Sequence, residues 1–207
     1  MTIASFFAIL EPEHQILMTD LSQSRRCNNM ITFDAAHAVH PIPPLYDQRS
    51  RILILGSFPS VKSREGRFFY HHPQNRFWKV LAAVMDHAVP ETIEEKRIFL
   101  LDSHIAVWDV IASCTIEGSS DSSIRDVVPN DLTPILSQAP ICKIFCNGGT
   151  SFQYYKKYQE KLLNRPAVRL PSTSPANAAW SLERLIKEWD IIKSCLNENN
   201  EMRGLSL

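Results

Sequence analysis

The stretch "RILILGSFPS" (residues 51–60) decides the fold of this chain. Four consecutive apolar residues, Ile52 to Leu55, form a short run that ends at Gly56. An apolar run of this length, bounded by a glycine, is typical of a strand that is buried on both faces of a sheet. The residues that follow are small, hydroxylated or proline, and they favour a turn. We therefore predict a central strand that ends in a turn.

The segments that follow alternate between helical and strand patterns. Strands are predicted at 105–111, 141–148 and 167–172, and helices at 75–86, 91–103, 131–139, 150–164 and 176–196. The segment 113–130 is rich in Ser, Asp and Gly and is predicted to be a loop, and 31–51 an extended, proline-stiffened lead-in. Strands that alternate with helices favour a parallel sheet covered on both faces. The predicted fold is a three-layer α/β/α domain with a central four-stranded parallel sheet.

The ordered pattern predicts one domain over residues 30–196. Residues 1–29 show no sustained period and end in a polar cluster, so we expect a poorly ordered N-terminal extension. Residues 197–207 are polar and are expected to form a frayed tail.

Composition limits the classes of function. Lys plus Arg number 22 and Asp plus Glu number 22, so net charge alone neither requires nor excludes a nucleic-acid partner. The five cysteines are odd in number and form no CxxC pair, which predicts a reducing, cytoplasmic compartment and neither a metal site nor a cofactor. No apolar run approaches the roughly 18 residues of a membrane span, so we expect no membrane partner.

Ligands of open parallel sheets bind beyond the carboxyl ends of the strands. Four segments fall there and are rich in small or hydroxyl residues: "GSFPS" (56–60), "DVIASC" (109–114), "NGGTS" (147–151) and "PSTSPAN" (171–177). Such residues let backbone N–H groups approach a ligand closely, and helix N-termini favour anions. In the last segment Ser174 also fits a helix N-cap, with Pro175 at the first helical position. No segment matches GxGxxG or GxxxxGK[ST], so a dinucleotide or Walker-type phosphate site is not predicted.

The stretch "HHPQNRFW" (71–78) concentrates hydrogen-bonding and stacking groups within eight residues. Five cations and one acid, Glu65, fall between Lys62 and Lys79, which predicts a local basic lobe. Such a cluster is either a solvated face or a surface that attracts phosphates. Asn75 directly precedes an apolar run, so a helix cap is the local alternative to a role in a site.

Several of these segments, in this order, resemble the uracil-DNA glycosylase superfamily. "GSFPS" lies where that superfamily has a Gly-x-x-Pro-Gly/Ser turn, "HPQNRFWKVL" (72–81) resembles its HPxNRFW segment, and "LPSTSPANA" (170–178) resembles its second motif. Together with "ILILGSFPS", "WDVI" and "GSSDSSI", they are most similar to the hypoxanthine-DNA glycosylase (DNA-deoxyinosine glycosylase) branch. The resemblance covers about residues 35–195.

The resemblance implies a monomeric, monofunctional DNA glycosylase that acts on DNA containing deaminated bases. Hypoxanthine is the first expected base and uracil the second. The enzyme would flip the nucleotide out of the stack, and water would attack the sugar.

The resemblance also places the catalyst outside the first turn. The best-known branches put Asp, Asn or Glu soon after the first glycine, where this chain has Ser57 and Phe58. In the deoxyinosine branch the resemblance points to Asn75, whose carboxamide oxygen could accept from water or whose amide could donate to the base. Asp109, within "WDVI", lies where the superfamily often reads the base. Its carboxylate could accept a base N–H or orient water, and the alternative is a cap or a pair with Arg125.

The remaining expected contacts follow from the same resemblance. Phe58 and Tyr70 are expected to stack on the base, which contributes about 1–3 kcal/mol per base, and Ser57 and His71 to bind it. For Phe58, anchoring of the turn is an equal alternative. Phosphate and wedge contacts are expected from the DNA-binding residues Ser60, Lys62, Arg76, Asn147, Gly148, Ser172, Ser174, Pro175, Ala176 and Asn177.

Two other functions fit the sequence. Ser57 and Phe58 in the first motif also suit a binding module of the same fold that recognises damaged DNA without cleaving it. A hydrolase of small nucleosides or phosphate esters is the third hypothesis, although a wedge loop would have no use there.

Overall fold

The computed structural model describes the backbone of residues 35–204 and the side chains of residues 35–197. The strands are β1 (Ala36–Val39), β2 (Ile52–Gly56), β3 (Ile105–Asp109), β4 (Ile111–Ile116), β5 (Arg125–Pro129), β6 (Lys143–Asn147) and β7 (Ala167–Leu170). The helices are α1 (Val61–Gly66), α2 (Phe77–Val84), α3 (Ile93–Asp102), α4 (Thr133–Gln138), α5 (Gly149–Tyr155), α6 (Lys161–Leu163), α7 (Leu182–Trp189) and α8 (Ile191–Gly204). The predicted N-terminal extension, 1–29, lies outside the described residues, as do the last three residues of the predicted tail.

The four-stranded parallel sheet is confirmed, in the order β3-β2-β6-β7. Its centre is the opening stretch, because Ile52 to Leu55 are all fully buried. Ile52 and Ile54 pack into one apolar cluster with α2, α3 and α7, whereas Leu53 and Leu55 pack into a second cluster with α4 and α5. The alternation of side chains along one strand thus supplies both faces of the three-layer domain.

The predicted loop at 113–130 is wrong, because it contains most of β4 and all of β5. These strands form a second, antiparallel sheet in the order β1-β4-β5. Cys114 and Ile116 are buried while Ser113 and Thr115 are not, which is the alternation of a one-sided strand. The Ser- and Gly-rich residues that suggested a long loop occupy only the connection between the strands. The predicted strand 105–111 accordingly ends at Asp109.

The predicted helix at 176–196 begins later than expected. Its N-cap is Ser181, whose hydroxyl accepts from the Arg184 N–H (3.2 Å), and not Ser174. Residues 171–181 therefore form an irregular loop, and Pro175 does not start a helix. The helical stretch is also divided, since α7 ends at Trp189 and α8 begins at Ile191. Within residues 35–204, no helix combines the length and the apolar character that a membrane span requires.

Candidate active site at the rim of the parallel sheet

The carboxyl ends of the parallel strands open onto a cavity of about 770 Å³. Gly56, Asp109 and Asn147 end β2, β3 and β6 and line it, and Pro171 lines it just after β7. This volume is within the roughly 300–1,000 Å³ that is typical of ligand sites. The predicted site residues that line the cavity are Ser57, Phe58, Ser60, Tyr70, Asn75, Asp109, Asn147, Ser172, Ser174, Ala176 and Asn177.

Five predicted site residues do not line the cavity: Lys62, His71, Arg76, Gly148 and Pro175. The His71 ring packs over Gly66, where a Cβ would lie 2.6 Å from it. Lys62 forms a surface ion pair with Glu65 (2.9 Å). We therefore do not assign His71 a contact with the base.

Asn75 is half-buried on the cavity wall, directly before α2. Its Oδ1 accepts hydrogen bonds from the Phe77 N–H and from the Thr173 hydroxyl, each at 3.0 Å. A backbone N–H can only donate, so the oxygen and nitrogen of the carboxamide are not interchangeable here. The bond to Phe77 is a local turn before α2, whose N-cap is Arg76 and not Asn75, so the cap alternative is wrong in position. The turn coexists with a position in the cavity. Because both lone pairs of Oδ1 are engaged, Nδ2 is the group that faces the cavity without an acceptor among the described residues.

Thr173 holds Asn75 in this orientation. It is fully buried, and its Oγ1 accepts from Asn147 Nδ2 (2.9 Å) while its N–H donates to Asn147 Oδ1 (3.0 Å). The hydroxyl proton of Thr173 is thereby directed to Asn75. Asn147 is predicted from the sequence to bind DNA. In the structure both ends of its carboxamide bond to Thr173 and orient it.

Asp109 is buried at the end of β3, and its partner is His40 rather than Arg125. His40 Nε2 lies 2.8 Å from Asp109 Oδ2, and His40 Nδ1 accepts from the Ile42 N–H (3.2 Å). An imidazole nitrogen that accepts carries no proton, so the proton is on Nε2 and is donated to Asp109. This bond fixes the carboxyl group and leaves Oδ1 on the cavity side.

Gly56 provides the space for that carboxyl oxygen. A Cβ on Gly56 would lie 2.1 Å from Asp109 Oδ1 and 3.3 Å from the Tyr70 hydroxyl. The first of these distances is far inside van der Waals contact. The glycine of the first motif therefore permits Asp109 to lie across the end of β2.

The rings of Phe58 and Tyr70, which are predicted to stack on the base, both contact other side chains of the protein. Phe58 is 8% exposed, the Arg64 guanidinium lies 5.5 Å from its ring centre, and His40 meets it edge-on. Tyr70 stacks on Phe77 with ring centres 3.8 Å apart. The anchoring alternative for Phe58 is thus present. Base stacking by either ring stays a prediction.

A second carboxyl group, that of Asp121, lies at the exposed rim of the same cavity. Its Oδ1 accepts from the Ser57 hydroxyl (2.9 Å), which ties the β2–α1 turn to the connection between β4 and β5. Desolvation by the surrounding protein atoms raises the pKa of Asp121, and the hydrogen bond from Ser57 opposes that shift. The Ser57 hydroxyl therefore donates its proton within the cavity wall, to Asp121.

Arg76 holds the loop 171–181 in place. Its guanidinium donates to four backbone carbonyls of this loop, those of Thr173, Ser174 (2.8 Å), Asn177 (3.0 Å) and Trp180. A planar guanidinium with several donors suits such a multiple contact. Because these donors are engaged inside the protein, Arg76 acts on the loop, and a contact to phosphate is no longer its best assignment.

Three of the five cations of the predicted basic lobe, Lys62, Arg64 and Arg76, have protein partners. Lys62 pairs with Glu65, and Arg64 donates to the carbonyls of Pro59 (2.8 Å) and Gly118 (3.3 Å). A different cation, the exposed Arg169 of β7, lines the cavity near Gly149. Phosphate attraction at the cavity mouth is therefore better assigned to Arg169.

The loop 171–181 presents hydroxyl and amide groups at the cavity through local turns. The Ser172 hydroxyl accepts from the Ser174 N–H (3.2 Å), and the Ser174 hydroxyl accepts from the Ala176 N–H (3.3 Å). Asn177 Nδ2 donates to the Ser172 carbonyl (2.8 Å). Both hydroxyl groups keep their protons available to an acceptor, so their predicted contacts with phosphate stay open.

Taken together, the cavity holds one fixed amide donor, one fixed carboxyl acceptor and a hydroxyl-lined mouth. The described residues contain no group of three or more His, Cys, Asp or Glu side chains that could hold a metal ion. The groups present can orient water and bind the edge of a planar base by hydrogen bonds.

The comparisons with known proteins show the family of the chain. The sequence profile of the uracil DNA glycosylase superfamily matches residues 43–194, which is most of the described chain. The chain belongs to the uracil DNA glycosylase superfamily, a class of enzymes that acts on DNA. The predicted family and the predicted fold class are both confirmed.

Within that superfamily, two curated relatives are named hypoxanthine DNA glycosylase. The protein of Methanosarcina acetivorans is 31% identical over 151 residues, covering 72% of this chain and 94% of the relative. The protein of Methanosarcina barkeri is 32% identical over 114 residues, covering 54% and 72%. A solution NMR structure of a proposed uracil DNA glycosylase from M. acetivorans superimposes with a TM-score of 0.65 at 29% identity, covering 74% of this chain and 96% of that one.

Sequence reasoning missed four residues of the site. His40 lies in the predicted lead-in, and Thr173 lies between Ser172 and Ser174, the two predicted contacts with DNA. Asp121 was hidden in the predicted loop, and Arg169 lies in a strand outside the basic lobe. Two of them had a usable signal. Asp121 lies within "GSSDSSI", a segment that carries the resemblance, and Arg169 is a cation near the end of a parallel strand, where ligands bind.

Proposed function

We propose that this protein is a monofunctional DNA glycosylase that hydrolyses the N-glycosidic bond of deaminated bases, hypoxanthine first and uracil second. The observation that carries the proposal is the fixed carboxamide of Asn75 beside the fixed carboxyl group of Asp109 in one cavity. The names of the two curated relatives support the choice of hypoxanthine. The cavity would receive a nucleotide that has been flipped out of DNA.

In the proposed reaction, Asn75 holds the attacking water and Asp109 faces the base. Asn75 Nδ2–H donates to one lone pair of the water, and the other lone pair attacks the anomeric carbon. The bond from that carbon to the base nitrogen breaks, and its electron pair leaves with the base. The water gives up one proton and the base gains one, so the products are an abasic sugar and a free base. Because positive charge develops on the sugar, orientation of the water matters more than its deprotonation.

The test is a panel of duplex oligonucleotides, each with one lesion, cleaved under single-turnover conditions. Asn75→Ala is expected to lower the rate on deoxyinosine by about 100-fold, the cost of losing one positioned donor. Asn75→Asp keeps the two bonds that Oδ1 accepts but replaces the Nδ2 donor with an acceptor, so an equal loss is expected. A rate for Asn75→Asp at or above that of the wild type would contradict donation by Nδ2.

The matched control is Gln74→Ala, which removes an exposed carboxamide one residue away that does not line the cavity. Its rate should equal that of the wild type. A wild-type protein that binds the lesion duplexes but releases no base from any of them would favour the damaged-DNA-binding module instead. Trapping of a covalent complex with borohydride would contradict the attack by water.

A further inference from the structure

The hydroxyl group of Tyr70 is buried at the cavity, and no hydrogen bond of ordinary geometry reaches it in the described part of the chain. The Asn147 side chain lies near enough to oppose the rise in the pKa of Tyr70, as a donor does, and no described acceptor takes the hydroxyl proton. Buried polar groups in proteins almost always have a partner, so a buried hydroxyl left over at a cavity wall is suited to a ligand. A tyrosine hydroxyl can both donate and accept, and it is carried here by a rigid ring.

The backbone and the ring of Tyr70 are held in place by unusual means. Tyr70 has a φ of +49°, in the left-handed region that L side chains rarely adopt. Its ring stacks at 15° on Phe77, which is fully buried in the core. Backbone strain of this kind is concentrated at functional sites, where the surrounding structure maintains it. The strain and the stack together fix the direction of the hydroxyl group.

Tyr70 and Asp109 present their oxygens side by side. Both atoms flank the position that a Cβ on Gly56 would occupy, Asp109 Oδ1 at 2.1 Å and the Tyr70 hydroxyl at 3.3 Å. Asp109 Oδ2 is occupied by His40, so Oδ1 is the acceptor that faces the cavity. The wall thus offers one acceptor and one donor next to each other.

We propose that this pair recognises the adjacent N–H and C=O groups that deamination creates on a base, with Tyr70 donating to the carbonyl oxygen and Asp109 accepting from the N–H. The proposal rests on the proposed function of the same cavity. Deamination of adenine converts an acceptor nitrogen and an amino donor into an N–H donor and a carbonyl acceptor. Adenine would therefore place an acceptor against Asp109 and a donor against Tyr70, and both hydrogen bonds would be lost.

The electrostatic environment favours the donor role. Burial and the nearby Asp109 raise the pKa of Tyr70 well above its ordinary value. The hydroxyl consequently keeps its proton at every pH at which DNA duplexes are handled. The same pair accepts the N–H and C=O edge of uracil, and guanine and thymine carry that edge as well. Tyr70 therefore rejects adenine and cytosine, the two bases that deamination converts, and does not by itself separate hypoxanthine from uracil.

The experiment compares wild type with Tyr70→Phe, which keeps the ring and removes the hydroxyl group. Two duplexes are used, one with deoxyinosine and one with the purine deoxynucleoside, which has neither the carbonyl oxygen nor the adjacent N–H. Tyr70→Phe is expected to lower single-turnover cleavage of deoxyinosine by about 10- to 100-fold, the range for one buried hydrogen bond, and to leave the rate on the purine duplex unchanged. Equal losses on both duplexes, or no loss on deoxyinosine, would overturn the proposal.

Binding separates this proposal from the proposed function. Affinities are measured for duplexes that carry the same two bases on a 2′-fluoroarabino sugar, which resists cleavage. A wild type that cleaves nothing overturns the glycosylase, whereas a preference for the inosine analogue that disappears in Tyr70→Phe still supports the base contact. A preference that is unchanged in Tyr70→Phe overturns it. Tyr46→Phe is the matched control, because it removes a hydroxyl that bonds to Gln138 outside the cavity, and it should behave as the wild type.

Discussion

At the residue scale, the geometry of the site depends on single atoms whose positions cannot be inferred from the sequence motifs. Gly56 matters through the absence of a Cβ, and His40 matters through the position of its proton. Asn75 presents its nitrogen because Phe77 and Thr173 occupy its oxygen. The chemistry of the cavity is therefore set by which end of each side chain is already in use.

Gly56→Ala tests this dependence on space. The new Cβ would lie 2.1 Å from Asp109 Oδ1, so the carboxyl group must move. A displacement of about 1 Å at a positioned group costs roughly 100-fold in rate, and we expect a loss of that size in single-turnover cleavage of deoxyinosine. Overpacking of the buried strand should also lower the free energy of unfolding by about 1–3 kcal/mol in a urea titration.

Gly66→Ala separates these two effects. Its Cβ would meet the His71 ring at 2.6 Å, which is comparable crowding away from the cavity. This variant should lose stability and retain the cleavage rate of the folded protein. If Gly56→Ala cleaved as fast as Gly66→Ala, the placement of Asp109 over Gly56 would not matter to the reaction.

At the scale of elements, the parallel strands followed from the sequence because apolar runs bounded by turns carry a strong local signal. The β4–β5 pair was missed because its strands are buried on one face only, and Ser and Asp fill the other face. The late start of α7 was missed because both Ser174 and Ser181 fit a helix cap. Ser181 is the cap that forms, and Ser174 lies in the loop whose carbonyls accept from Arg76, a contact from another element that no local pattern reveals.

The conformation of the loop 171–181 should depend on the several N–H donors of the Arg76 guanidinium. Arg76→Lys keeps the charge but cannot reach four carbonyls at once. We expect amide hydrogens of 171–181 to exchange at least about 10-fold faster in mass spectrometry, and the free energy of unfolding to fall by about 1–3 kcal/mol. Arg67→Lys, an exposed cation after α1, is the control and should leave both quantities unchanged. Unaltered exchange in Arg76→Lys would mean that the loop is held by other contacts.

At the scale of the whole molecule, the chain must approach DNA without a net charge. Its 22 cationic and 22 acidic residues cancel. Within the basic lobe, Arg64 and Arg76 donate to backbone carbonyls, and Lys62 is paired with Glu65 at the surface. Attraction to phosphates therefore depends on a few exposed cations near the cavity, among which Arg169 is the best placed. We expect a weaker dependence of binding on salt than for a strongly basic protein of this size.

Arg169→Gln should remove about one phosphate contact and so weaken the dependence of DNA binding on salt concentration. The slope of log affinity against log salt concentration is then expected to become shallower by about 1, with weaker binding of all duplexes regardless of the base they carry. Arg49→Gln is the control, because Arg49 pairs with Asp47 before β2 and does not line the cavity. An unchanged slope in Arg169→Gln would exclude a contact between Arg169 and the backbone of DNA.

The bond from Thr173 to Asn75 joins residues that are 98 positions apart in the chain. A polypeptide cut between them would carry the amide on one piece and the group that aims it on the other. With the proposed role of Asn75, we expect neither piece to release a base, and activity to return only when the two halves recombine. The enzyme is thus suited to fragment complementation, in which base release would report that both halves had met and refolded together.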